Sequence, residues 1–200
     1  TGFSGLKDNP DHALNDTLTN IENIDFSNVR FDLVLNGDEN ANILTGGSGN
    51  DVISGGAGND KVYAGDGDDI IWQSGSGTQH YDGGAGTDTY KIDTAFILWD
   101  YKDHDIKVDL NTGFSGLKDN PDHELNDTLT NIENIDFSNV HFDLVLNGDE
   151  NANILRGGSG NDVIVGGAGN DILEGGSGND QYRYDGTAGF DVIRETAGIS

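Results

Sequence analysis

A nine-residue period constrains this chain more than any other feature. Gly46-Gly47-Ser48-Gly49-Asn50-Asp51-Val52-Ile53-Ser54 is followed in phase by nonapeptides starting at Gly55 and Ala64, and the pattern returns at Gly83. A later block starts at Gly157, Gly166 and Gly175. Aspartate holds the sixth position and an aliphatic or aromatic residue the eighth. Glycines at positions one, two and four let the backbone bend so that carbonyl oxygens converge. A hard cation takes six to eight oxygens at about 2.3–2.6 Å, which carbonyls and a carboxylate supply together. The last three residues of each copy form a short strand with its middle side chain inward: Ile53, Val62, Ile71, Tyr90, Ile164, Leu173 and Tyr182. A flexible glycine-rich linker has no reason to keep aspartate and apolar residues in phase.

A longer period encloses the short one. Residues 1–60 recur at 112–171, differing only at Ala13/Glu124, Arg30/His141, Thr45/Arg156 and Ser54/Val165, so the chain carries a tandem duplication of a 111-residue unit. A degenerate turn over 73–81 is followed by Asp82, read as one extra residue before Gly83. Gly37 to Thr45 and Gly148 to Arg156 read as weakened leading turns, with Asn42 and Asn153 in the sixth position. The last good copy starts at Gly83 in the first unit and its match at Gly175 in the second. That offset is shorter than the duplication by two nonapeptides plus one residue, so whole coils are gained or lost.

Composition narrows the partners. The 200 residues hold 36 acidic and 10 basic side chains, a formal net charge of −26, with 31 glycines and an apolar fraction of 34%. A large oily core is excluded, and a surface so acidic repels nucleic acid and anionic membranes. The counterpart of these carboxylates is a cation. The absence of Cys excludes disulfides and thiolate metal sites. No apolar run approaches the roughly 18 residues of a membrane span. The sequence starts at Thr1 with no apolar leader and reads as a piece of something longer.

The pattern G-G-x-G-x-D-x-U-x resembles the haemolysin-type calcium-binding repeat of RTX proteins. By strict motif the resemblance covers roughly 37–91 and 148–183. Leu14 to Ile24, repeated at Leu125 to Ile135, is more loosely similar to segments that precede such blocks. The resemblance implies an all-β fold, a parallel β-roll in which two nonapeptides make one coil and calcium ions sit between turns stacked on the same side. Ligands then come from repeats 18 residues apart, pairing Asp51 with Asp69 and Asp162 with Asp180, while Asp60 and Asp171 lie on the other side with weaker neighbours. Carried over residue by residue, carbonyls of positions one, three and five join the sixth-position carboxylate. The implied calcium set is Gly46, Ser48, Asn50 and Asp51; Gly55, Ala57, Asn59 and Asp60; Ala64, Asp66, Asp68 and Asp69; Gly83, Ala85 and Asp88; Gly157, Ser159, Asn161 and Asp162; Gly166, Ala168, Asn170 and Asp171; and Gly175, Ser177, Asn179 and Asp180.

The expected organisation is a β flank over 1–36, a first roll over 37–91, a connecting or capping β segment over 92–147, a second roll over 148–193 and a tail over 194–200. Alternation in Phe31, Leu33 and Leu35, in Phe142, Leu144 and Leu146, and in Ile106, Val108 and Leu110 predicts half-buried strands. Leu18, Ile21, Ile24 and Phe26 predict irregular coils that extend the stack, since an open solenoid end exposes its core. Asp8 to His12, its copy Asp119 to His123, and Asp100 to Asp105 read as charged turns rather than metal sites. Trp72 and Trp99 read as caps on the roll. No His-Glu-x-x-His or Gly-x-Ser-x-Gly run occurs, and the strong aspartate clusters are accounted for by the nonapeptides, so no catalytic site is expected.

The expected function is a calcium-binding module that folds on calcium after secretion, within a larger extracellular bacterial protein. The resemblance implies type I secretion through a C-terminal signal that this sequence does not display. One alternative is a spacer or ligand-binding region of an adhesin or surface-layer protein, with neighbouring repeats or a cell-surface ligand as partners. Another is the export and folding tail of a secreted protease, lipase or cytolysin.

Overall fold

A computed structural model describes residues 21–93, 106–117, 126–186 and 189–195. The strands are mostly three or four residues long, and no helix occurs among the described residues. Each nonapeptide turn hands the chain to a short strand, and the next turn sends it back on the opposite side. One sheet therefore collects alternate strands: β1 (Asn23–Asp25), β3 (Ile43–Thr45), β5 (Lys61–Asp66) and β7 (His80–Ala85). The facing sheet collects β2 (Val34–Asn36), β4 (Val52–Ser54), β6 (Ile70–Gln73) and β8 (Thr89–Ile92). Neighbours within a sheet are parallel, with Val52 opposite Ile70 and Ile43 opposite Lys61, so one coil spans two nonapeptides. This is the parallel β-solenoid that the resemblance implies.

The core is a single file of side chains between the sheets. Ile53, Val62, Ile71, Tyr90 and Ile164 are fully buried, Leu173 is nearly so, and Tyr182 packs partly buried against them. Leu44 and Leu155 of the leading turns are buried in the same register. The four duplicate differences fit this pattern wherever they are described. Thr45/Arg156 and Ser54/Val165 occupy half-buried strand ends beside the inward residue, and Arg30/His141 is exposed.

The two rolls share both sheets. β11 (Asp127–Thr130) stacks on β7, and β12 (Asn134–Asp136) lies between β8 and β14 (Ile154–Arg156). The stack continues through β13 (Leu144–Asn147), β15 (Val163–Val165) and β17 (Gln181–Tyr182) on one side, and β16 (Ile172–Glu174) and β18 (Val192–Arg194) on the other. A hairpin of β9 (Ile106–Asp109) and β10 (Phe114–Leu117) enters the larger sheet between β11 and β13 and brings its antiparallel pairings. Tyr81, Tyr90 and Phe137 fill the core here, with successive ring centroids 5.6 and 5.7 Å apart. The expected alternation over Leu33 and Leu35, Ile106 and Val108, and Leu144 and Leu146 places all six side chains in the core.

Two expectations need correction. The extra residue is not Asp82: the offset is already 19 between Asp60 and Gln79, and Gly75 stacks on Gly56. The insertion falls at Gln73, which lengthens β6 to four residues and donates from its buried side chain to the Gly75 carbonyl at 2.9 Å. Trp72 does not cap the roll. It lies on β6, between β4 and β8, half-buried with the Lys91 ammonium 5.5 Å above its ring. Trp99, Asp8 to His12, Asp119 to His123 and Asp100 to Asp105 fall outside the described residues.

Candidate metal centre

Sixth-position aspartates line the two edges where turns stack. Asp51, Asp60, Asp69, Asp88, Asp162 and Asp171 are at most 1% exposed, although each is a carboxylate. Burial of this kind requires hydrogen bonds or a counterion. The backbone supplies half of the need. Asp51 N–H donates to Asp69 Oδ1 at 2.6 Å, Asp69 N–H to Asp88 Oδ1 at 2.8 Å, and Asp162 N–H to Asp180 Oδ1 at 2.9 Å. The 18-residue pairing read from the sequence is thus a direct contact. On the other edge Asp60 accepts from Asn42 N–H, and Asp171 from Asn153 N–H.

The second oxygen of each carboxylate tells the rest. Asp51 and Asp162 turn Oδ2 onto the N–H groups of Gly47 and Gly158. Oδ2 of Asp60, Asp69, Asp88, Asp171 and Asp180 is buried with no hydrogen-bond partner. Five orphaned carboxylate oxygens in one small solenoid are costly unless a cation meets them. The glycine at position one leaves the space. A β-carbon on Gly46 would collide with Asp51 Oδ2 and with the Ala64 carbonyl of the next turn on that side. Carboxylate and carbonyl oxygens therefore converge on one cradle, the donor set of a hard cation. Among the described residues no group of three His, Cys, Asp or Glu side chains comes together, so any ion held here draws heavily on carbonyls.

The remaining predicted residues divide by position. Position one (Gly46, Gly55, Ala64, Gly83, Gly157, Gly166, Gly175) is buried throughout, beside the cradles. Position three (Ser48, Ala57, Asp66, Ala85, Ser159, Ala168, Ser177) is exposed or half-buried, and the Ala85 carbonyl accepts Gly67 N–H at 2.8 Å. Position five does something that the carbonyl assignment did not foresee. Its exposed side chains form a second ladder: Asp68 N–H donates to Asn50 Oδ1, Thr78 N–H to Asn59 Oδ1, Thr87 N–H to Asp68 Oδ1 and Asn179 N–H to Asn161 Oδ1. Asn170 serves Phe190 N–H in the same way. Asn42 and Asn153 replace a carboxylate with a neutral amide and satisfy themselves locally, each accepting from the N–H four residues back.

The edge ladder also recruits residues outside the strict nonapeptides. Asp60 N–H donates to Gln79 Oε1, Gln79 N–H to Asp127 Oδ1, Asp88 N–H to Glu133 Oε2 and Asp171 N–H to Asp191 Oδ1. A truncated signal was present for two of them. Asn126-Asp127-Thr128-Leu129-Thr130 keeps the last five positions of the nonapeptide without its glycines, and Phe190-Asp191-Val192-Ile193-Arg194 keeps them behind Gly186 and Gly189 at positions one and four.

Burial drives the acid strengths. It pushes the carboxyls of Asp60, Asp69 and Asp162 up to about 6 and that of Asp88 to about 7, with neighbouring carboxylates adding to the rise. Asp51 and Asp171 are raised for the same reason. Asp127, whose Oδ2 accepts from Tyr90 Oη at 3.2 Å, is raised by burial to about 8. These sites favour a proton or a metal over a bare carboxylate.

No curated protein matches the chain. Residues 36–71 and 147–182 match the family described as the RTX calcium-binding nonapeptide repeat (4 copies). These spans begin one residue before the leading turns at Gly37 and Gly148, so the asparagine-bearing turns belong to the repeats. With cradle, orphaned carboxylates and 18-residue coil in place, these two stretches are RTX calcium-binding nonapeptide repeats, and the chain carries them as a calcium-binding β-roll with capacity for several ions.

Proposed function

We propose that the chain is a module whose folding is switched on by calcium, within a larger secreted protein, and that the sixth-position aspartates and the carbonyls of positions one and three hold the ions. The five buried, partnerless Oδ2 atoms carry this reading. When bound, calcium supplies the positive charge that lets these carboxylates stay ionised inside the stack. The chain's own residues do the rest: position-six carboxylates clamp the preceding turn on the same side by accepting its N–H through Oδ1, and glycines keep the cradle open. A single-file core cannot offset an ordering cost of roughly 1–2 kcal/mol per residue, so ion binding contributes folding free energy. In a compartment with little free calcium the chain stays unfolded and exportable; in a calcium-rich exterior it folds. Far-UV circular dichroism during a calcium titration at pH 7.5 should show a β spectrum appearing with calcium and lost again in excess EGTA. A β spectrum that survives EGTA would overturn the reading.

A tandem-array reading, with the roll as a rigid spacer, is favoured by a comparison of the two copies. β12 is covered by β8 and β13 by β9, whereas their counterparts β1 and β2 end their sheets among the described residues. Val34 is 71% and Phe31 52% exposed, while Val145 and Phe142 are half-buried. Placing another 111-residue unit ahead of Thr1 should bring amide exchange in β1 and β2 down to that in β12 and β13. Unchanged exchange would argue for a module that works singly.

A further inference from the structure

We infer that the joint between the first roll and the following segment is itself a calcium site, built from Asp88, the main-chain carbonyl of Asn131 and the carboxylate of Glu133. Two of these three residues lie outside every nonapeptide. The inference rests on the calcium reading of the rolls and extends it to a turn without the glycine motif.

Three observations carry it. Asp88 is completely buried, and its Oδ2 has no hydrogen-bond partner. A β-carbon on Gly83 would collide with that Oδ2 and with the Asn131 carbonyl oxygen. This is the same pair of oxygens, one carboxylate and one carbonyl from the next turn on that side, that meets at Gly46 inside the roll. Glu133 then takes the place of the next sixth-position aspartate: its Oε2 accepts Asp88 N–H at 2.8 Å, as Asp88 Oδ1 accepts Asp69 N–H. Asn131 is the one non-glycine with positive φ among the described residues, at 51°. Asparagine tolerates that region better than most residues, and Asn131 Nδ2 donates to Asp82 at 2.8 Å. The residues from Asn131 to Glu133 thus compress the six residues from position one to position six into three and still deliver a carbonyl and a carboxylate to the joint.

The duplication supplies an internal control. Glu22 stands in the same local sequence as Glu133, but it is exposed and leads into β1, which ends its sheet among the described residues. Native mass spectrometry of the full chain in calcium counts ions on the compact population alone, so partial unfolding of a variant does not mask the result. Glu133→Gln, whose amide oxygen still accepts Asp88 N–H, should carry one calcium fewer than the parent. Glu22→Gln should carry the parental number. Equal counts for Glu133→Gln and the parent would overturn the joint site and leave the rolls untouched, as would an equal loss from both variants. A parent chain that binds no calcium would overturn the reading of the rolls themselves.

Discussion

Stripped of calcium, the chain should be more folded at pH 5 than at pH 7.5. Folding raises the carboxyls of Asp60, Asp69 and Asp162 from the ordinary 3.8 to about 6 and that of Asp88 to about 7. The folded chain therefore binds more protons than the unfolded chain between these limits. Stability linked to a raised pKa is fully present below the unfolded value and is lost as pH climbs through the folded value. Each unit of separation corresponds to about 1.4 kcal/mol, and several sites act together. In chelator-treated buffer, the β signal should rise on acidification from 7.5 to 5, still above the sequence pI near 4.1. Calcium reverses the slope. Protons compete for the same oxygens, so the calcium midpoint should move to lower concentration as pH rises from 6 to 8. A calcium-free chain equally unfolded at both pH values would mean that burial of these aspartates does not govern folding.

The same aspartates show how far the sequence could be read. Periodicity located Asp51, Asp69, Asp162 and Asp180, and the resemblance to RTX repeats supplied their 18-residue pairing, because a coil of fixed length leaves one stacking register. It also located the inward residues, since one apolar side chain per strand is all the narrow space admits. The inserted residue was beyond it. Gln73 and Asp82 are both polar, and only the stacking of Gly75 on Gly56 places the insertion at the former. The joint escaped for a related reason. Asn131 contributes a carbonyl, which is the same in every residue, and Glu133 reaches Asp88 across 45 residues of sequence. Trp72 was misplaced because an aromatic side chain on a thin solenoid suggests an end, whereas Lys91 and its ion pair with Asp136 at 2.7 Å cover it on the sheet face.

Valine at Gly65 should cost the first roll its calcium-bound fold, whereas Ser54→Val should be silent. Gly65 has φ +119°, and a β-carbon there would collide with the Gly47 carbonyl of the turn below. The backbone strain alone costs about 1–3 kcal/mol, and the collision adds to it. Neither can relax easily, because that carbonyl also accepts Asp66 N–H at 2.9 Å. Ser54 has valine in its place at 165 in the second copy, on a strand with the same burial pattern. In a stack where each coil touches only its neighbours, a lesion spreads along the file and fades with distance. Amide exchange in saturating calcium should therefore rise in β4 to β7 of the Gly65→Val chain, while β15 and β16 keep parental protection. Uniform loss across both rolls would mean that the solenoid folds as one cooperative block. Parental exchange throughout would mean that the turns do not stack as closely as the Gly47 carbonyl requires.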